Sequence, residues 1–493
     1  MRIRIIGTVG ATALAIGGLT AGALPAGRPF YLSPATRHGF GLGAAGMVCA
    51  VAGLVVLVGA WLRLRPLVAG QPRAALTTLA WWTAPLVLAP PLFSRDVYSY
   101  LAQGALVGRG FDAYTVGPAA LGADPLTAQV HPLWLGTPAP YGPVFLGLAA
   151  VVVGVTGTHL VAGILGMRAI ALGSVVVLAL VVPRLTVRYR VDPGRALWLG
   201  VLNPLLLVHV VAGAHNDGLM AALLTAGLLC AAERRFALAV CLITLASLVK
   251  APAALALCYV APLWFVGRWR WPVGVAATAA VAGGTVGVVT LGTGLGFGWV
   301  GALKTPAIVH NGLSISTDLG HAFGAVTVMR TLGVVLAAAL CAIAWVRRDR
   351  LGVAGAVGCA LGAVVLLGPV VHPWYLLWAV VPLAASGRLQ RAAIGLSVVL
   401  SLVILPHGVA FTPRGTAEAL AGLGVGLAVL ALGQVLQRQP VPVDAQPADD
   451  PGGDGRDDGV VPELLPRVDV GDVHLHERPA EQGARVPDRV RVV

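Results

Sequence analysis

Of 493 residues, 57% are hydrophobic and only 11% are charged, and a mean hydropathy of +0.84 excludes a soluble globular domain. The formal charge of +13 does not point to nucleic acid, because residues 1–436 carry 27 Lys and Arg against 9 Asp and Glu while the remainder carries 7 against 12. A basic excess confined to the apolar part fits short cytoplasmic loops of a polytopic all-α membrane protein.

All six cysteines (Cys49, Cys230, Cys241, Cys258, Cys341 and Cys359) lie in apolar runs without ligand spacing, so neither a disulfide nor a metal cluster is expected. Runs of about twenty apolar residues suffice to span hydrocarbon. The first run, Ile5 to Leu24, follows Arg2 and Arg4, which places the N-terminus inside. The small residues at its end also resemble a signal-peptide cleavage site. Gly41 to Leu62 returns to Arg63, Arg65 and Arg73, and Ala75 to Leu92 then leads outward to Asp96. A polar stretch comes next, the first exterior loop, within 93–159.

Gly142 to Gly157 is apolar but short. If it crossed, Arg184, Arg188, Arg190 and Arg195 would lie outside, so it is expected to lie in the interface or re-enter. The runs from Leu160 onward then alternate with their basic loops inside, around a second large exterior loop at 292–324, and give about fourteen spans. From Gln437 to Val493 the chain is rich in Pro, Gly and Asp and reads as a disordered, acidic cytoplasmic tail.

Only nine acids lie outside that tail. Asp192, Glu233 and Asp349 sit beside arginines in cytoplasmic loops, where solvated ion pairs are the ordinary reading. Asp96, Asp112, Asp124, Asp217, Asp318 and Glu418 fall at the exterior face, as do the only two lysines, Lys250 and Lys304. An ionisable group at membrane depth is a functional candidate. For Asp96 two structural alternatives stand beside catalysis: a pair with Arg95, or a cap for a helix beginning at Val97. Lys250 is either a snorkelling lysine or a point charge for phosphate. Further cations on that face are Arg109, His310, His321, His372 and Arg414. Phe93, Tyr98, Tyr100, Trp134, Tyr141, Trp299, Trp374 and Tyr375 form an aromatic belt at the same level. No Walker-type loop, dinucleotide fingerprint, HExxH or CxxC motif is present, which argues against an ATP-driven pump, a nicotinamide oxidoreductase and a zinc protease.

The segments Asp96–Gly104, Gly110–Tyr114, Gly117-Pro118, Pro140–Pro143, Asn203-Pro204, His215–Gly218 and His372–Tyr375, in this order, resemble the actinobacterial polyprenyl-phosphate-mannose-dependent α-1,6-mannosyltransferases of the GT-C superfamily. The resemblance covers residues 1–436. It implies a GT-C transmembrane catalytic domain with interfacial helices in the first exterior loop and an active site on the outer face of the cytoplasmic membrane. It further implies that Asp96 is the catalytic base of an inverting transfer of mannose from polyprenyl-phosphate mannose to a mannan lipoglycan. Arg95, Tyr98, Gln103, Tyr141, His215, Asn216, Asp217, Lys250, His372, Trp374 and Tyr375 would then bind substrate, without a metal or other cofactor. Two departures from the pattern are Asp217, where some relatives carry Glu, and Asp112-Ala-Tyr114, where Asp-Pro-Tyr is usual. The alternatives are a transporter or flippase of a lipid-linked sugar, and a transferase using another lipid-phosphate sugar.

Overall fold

A computed structural model describes residues 1–25, 42–264, 271–308, 312–408 and 413–438; of the segment expected to be a disordered tail, Gln437 and Arg438 instead end a helix, and the rest lies outside the described residues, as do His310, Arg268 and Arg270. The described residues form helices and no strands. Five helices are long and apolar enough to cross a membrane, or six if a bent pair counts as one span. The five are α1 (Arg2–Ala21), α2 (Leu42–Leu64), α6 (Leu160–Tyr189), α11 (Trp271–Thr293) and α13 (Val326–Val346).

Several expected single runs are broken, and prolines account for the breaks. The run Ala196–Ala214 becomes α7 (Pro193–Gly200) and a π-helical segment Leu206–Ala212. Pro204 cannot donate a backbone hydrogen bond. Asn203 fills the gap: its Oδ1 accepts from the Leu205 amide at 2.9 Å, and its Nδ2 donates to the Leu199 carbonyl at 2.9 Å and to Ser397 Oγ at 2.8 Å. After the π segment the chain turns by 112° into α8 (Asp217–Ala232). Beyond α9 (Phe236–Ser247), Pro252 and Pro262 split the next run into a 3-10 turn at Ala251–Ala254, α10 (Leu255–Val260) and a second turn at Ala261–Leu263.

Small residues let α1 and α2 meet backbone to backbone. Gly10 and Gly17 on α1 face Gly53 and Gly46 on α2, both pairs seven residues apart, and a Cβ at any of the four would come within 3 Å of the other helix. Close glycine-lined crossings are a common way to associate helices where lipid removes the hydrophobic drive. α17 (Pro413–Arg438) covers the far side of α2.

The helices have two distinguishable ends. At one end the basic loops converge. The Gly70 amide donates to Asp192 Oδ2 at 2.6 Å, Tyr189 Oη accepts from the Ala354 amide at 3.0 Å, and Arg388 Nη2 donates to the Arg350 carbonyl at 2.6 Å. Trp61 of α2 and Trp198 of α7 stack at 4.6 Å there. Each indole donates to the other's carbonyl, and Arg65 lies over Trp198. At the opposite end meet the C-termini of α3 (Pro72–Leu88), α9 and α14 (Val353–Leu367) and the N-termini of α8 and of the Pro373–Leu376 turn that opens α15 (Leu377–Ser386).

The first loop folds at this second end. It carries α4 (Asp96–Gly108) and α5 (Pro143–Thr156), which cross tightly where a Cβ on Gly104 would lie 2.5 Å from the Ala149 carbonyl. Both ends of α5 belong to the same end of the bundle. The Gly142 amide donates to the Val249 carbonyl at 3.2 Å, and Val152 packs on Gly166 in the early turns of α6. Arg168 of those turns reaches Val87, at the close of α3. α5 therefore doubles back and does not traverse the bundle.

Candidate active site

Asp96 opens α4, and its surroundings decide between the readings left open by sequence. Arg95 does not pair with it: Arg95 Nη1 donates to the Leu24 carbonyl at 2.6 Å, Nη2 donates to the Gln129 carbonyl at 2.8 Å, and the guanidinium lies over Tyr98. Nor does the Asp96 carboxylate cap the helix; Ser94 Oγ accepts from the Asp96 amide at 3.1 Å. Tyr98 is fully buried and donates from its hydroxyl to the Ala23 carbonyl at 2.7 Å. Arg95 and Tyr98 thus fasten the start of α4 to the end of α1 and leave the Asp96 carboxylate directed at other partners.

Those partners come from distant segments. His215 Nδ1 lies 3.7 Å from Asp96 Oδ2 and 3.2 Å from the Tyr100 hydroxyl, one helical turn after Asp96. The His215 ring stacks on Trp374 at 3.9 Å, and His372 stacks on the same indole at 4.6 Å. Beside this stack stands a second group. Asp217 is completely buried; its Oδ2 accepts from Lys250 Nζ at 2.7 Å and its Oδ1 accepts from the Trp378 indole at 2.7 Å. The Lys250 ammonium is walled by Tyr375 at 4.7 Å, Tyr141 at 5.6 Å and Trp378 at 5.7 Å.

The electrostatics follow from this packing. The side chain of Asp96 is 21% exposed against 0% for His215. Burial raises the Asp96 carboxyl to about 6; the Lys250 ammonium and the Ser94 hydroxyl oppose the shift, and Asp217 adds to it. Burial likewise holds His215 well below its ordinary value, with His209, Lys250 and His372 contributing, and brings His372 to about 3. Both imidazoles are therefore neutral at physiological pH. Ala214, just before His215, has φ 55°, and Phe93, three residues before Asp96, has φ 63°. Left-handed backbone at non-glycine residues is strained, and it recurs at Arg190, Arg234 and Leu389 in the basic loops, so it does not single out this end.

Two matches span this arrangement. Residues 4–266 match the family described as alpha-(1->6)-mannopyranosyltransferase, N-terminal domain, and residues 305–433 match the MptB C-terminal domain. The chain belongs to the alpha-(1->6)-mannopyranosyltransferase family. Similar relatives include a probable alpha-(1->6)-mannopyranosyltransferase of Mycolicibacterium smegmatis, 34% identical with 87% of this chain and 86% of the relative covered. Alpha-(1->6)-mannopyranosyltransferase B of Corynebacterium glutamicum is also 34% identical, over 89% and 82%. Alpha-(1->6)-mannopyranosyltransferase A of Mycobacterium tuberculosis shows 34% over 82% and 84%. No solved structure matches the chain. The protein is accordingly a glycosyltransferase of the mannosyltransferase type with multi-pass membrane character.

Within this mannosyltransferase the structure gathers Asp96, Tyr141, His215, Asn216, Asp217, Lys250, His372, Trp374 and Tyr375 at one end of the bundle. Both amide atoms of Asn216 and Nε2 of His215 are buried without a protein partner, as is Oε1 of Gln103, two turns beyond Asp96 on α4. Arg95 and Tyr98 instead hold the scaffold. Arg109 pairs with Asp124 in the first loop, and Lys304 is exposed. Three contributors escaped the sequence reading as site residues. Tyr100 and Trp378 follow Asp96 and Tyr375 at helical spacing, which could have flagged them. His209, whose two ring nitrogens are buried without a hydrogen-bond partner and whose ring centroid lies 6.0 Å from that of His215, sits in the π segment and carries no such signal.

Proposed function

We propose that this mannosyltransferase is a GT-C-type inverting enzyme that transfers mannose from polyprenyl-phosphate mannose to an α-1,6-mannan lipoglycan at the outer face of the cytoplasmic membrane. Asp96 is the general base. The observation that carries this reading is the contrast between the two carboxylates of the site: Asp217 is fully buried with Lys250 and Trp378 as partners, whereas Asp96 is partly open and receives no capping amide. Only Asp96 can therefore meet an acceptor hydroxyl.

Asp96 takes the proton of the acceptor 6-hydroxyl as that oxygen attacks the anomeric carbon, and the bond from this carbon to the phosphate oxygen breaks on the opposite face. The electron pair leaves with the lipid monophosphate. One base suffices for inversion, so a β-linked donor yields an α-linked product. Lys250, held by Asp217 and its aromatic walls, stabilises the departing phosphate as a point charge, which makes a metal unnecessary. The Asn216 amide and His215 Nε2 offer neutral donors and acceptors suited to sugar hydroxyls.

The converging arginine loops support a cytoplasmic basic end and an exterior site end. The alternation of the shorter helices supports a count near fourteen spans with both termini inside, α4 and α5 lying in the interface. The residues 1–436 form the catalytic domain in this reading. The test is transfer by the purified chain from radiolabelled polyprenyl-phosphate mannose to a short α-1,6-mannoside. The expected product is one mannose longer and open to α-mannosidase. Transfer only from an arabinose- or glucose-bearing lipid phosphate would overturn the donor assignment, and a β-linked product would overturn inversion.

A further inference from the structure

We propose that Arg168, buried inside the membrane-spanning helix α6, is a positioning residue that fixes the Asp96 segment against the His215 segment by clamping the two helix ends from which they spring. The inference rests on the assignment of Asp96 as the base. Arg168 is 3% exposed. Its Nη1 donates to the Val87 carbonyl at 2.7 Å, in the last turn of α3, and its Nη2 donates to the Ala212 carbonyl at 2.8 Å, the last residue of the π segment. A cation between two helix C-termini satisfies carbonyls that have no partner within their own helices and meets the negative ends of both dipoles.

The chain beyond each clamped carbonyl is short and stiff. From Val87 it reaches Asp96 through Pro90, Pro91 and the left-handed Phe93, whose amide donates to the Pro406 carbonyl at 2.7 Å. From Ala212 it reaches His215 through Gly213 and the left-handed Ala214. The two segments touch directly: a Cβ on Gly213 would lie 3.2 Å from the Leu92 carbonyl. Phe93 also meets His209 edge-on at 5.6 Å. A shift of either helix end therefore changes the 3.7 Å separation of His215 and Asp96. The planar fork of an arginine serves two carbonyls at once in fixed geometry, which a lysine ammonium does not reproduce.

The test compares full-length Arg168→Lys and Arg168→Met with wild type in detergent, using the radiolabelled lipid donor across pH. Arg388→Gln, which removes the corresponding donation to the Arg350 carbonyl at the basic end, serves as control. A misplaced base predicts a fall in kcat of about tenfold or more for Arg168→Met, since an error on the order of 1 Å in a reacting group costs up to about a hundredfold. Arg168→Lys should fall between, the acid limb of the pH profile should move, and donor KM should stay within about twofold; Arg388→Gln should leave kcat and the limb unchanged. A lower thermal midpoint with unaltered kcat and pH limb would overturn the proposal by showing a purely structural role. If Arg168→Met does not fold, Arg168→Lys decides by the same criteria. If Asp96→Asn retains wild-type transfer, the reading of the base falls and the proposal with it; if Asp96→Asn is inactive while both Arg168 variants match wild type, only the proposal falls.

Discussion

Two carboxylates enter the site, and their surroundings separate their roles. Asp217 and Lys250 form a buried pair that the Trp378 indole completes. Removing one partner of such a pair leaves an uncompensated buried charge and costs about 3–5 kcal/mol. Lys250→Met should therefore lower the thermal midpoint sharply in detergent, and adding Asp217→Leu to it should recover much of the loss without restoring transfer. Asp96 follows a different rule. Its carboxyl is raised to about 6, mainly by burial, so the carboxylate that the proposed role needs is present above that value and is lost as pH falls through it. For stability the sign is the opposite: the raised carboxyl contributes stability below its ordinary value of 3.8, and that contribution is lost as pH rises from there through about 6. The ratio kcat/KM, which reports the free enzyme, should fall about tenfold per pH unit on the acid side of pH 6. The members of this cluster were largely legible in the sequence, because acids and lysines are scarce enough in an apolar chain to stand out. The specific partners were not: Lys250 meets Asp217 across 33 residues, and Trp378 meets it across 161. Such pairings depend on which helix ends converge, which no local pattern encodes.

At the scale of the element, the decisive pieces are breaks in regular structure. Apolar runs announced where helices occur, and the arginines after α6 indicated that α5 could not be a simple span. The π segment before His215 was illegible, since its residues are as apolar as any helix and only the packing of Asn203 and Arg168 shows why it unwinds. Gly142 is a second such piece. It joins Tyr141 to α5 while its amide bonds Val249, beside Lys250, and a Cβ there would stand 2.1 Å from the Leu248 carbonyl. Gly142→Ala should displace Tyr141 from the Lys250 cage. We expect a loss of stability of about 1–3 kcal/mol, the usual cost of overpacking, with a larger proportional loss of transfer. Unchanged unfolding and unchanged turnover would show that α5 adjusts freely.

For the whole molecule, charge and chemistry divide between the two ends of the bundle. The arginine-rich loops gather around Asp192 and the Trp61–Trp198 stack, and the titratable site lies where α3, α8, α9 and α14 meet. This separation is what the proposed orientation, with the basic end inside and the candidate site outside, requires. A reporter fused after Arg190 should score cytoplasmic, and a single cysteine at position 304 should be labelled only from outside; a reversed pair of results would turn the molecule over in the membrane.

The central claim is that the partly open carboxylate of Asp96 is the base. It is tested most directly by Asp96→Asn, a nearly isosteric change, assayed for mannose transfer from radiolabelled lipid donor by membranes containing equal amounts of folded protein. The account predicts transfer at the background of membranes lacking the enzyme, with retained donor binding and a thermal midpoint no lower than that of wild type, since the neutral amide removes the cost of a buried charge. Transfer within a few-fold of wild type would contradict it.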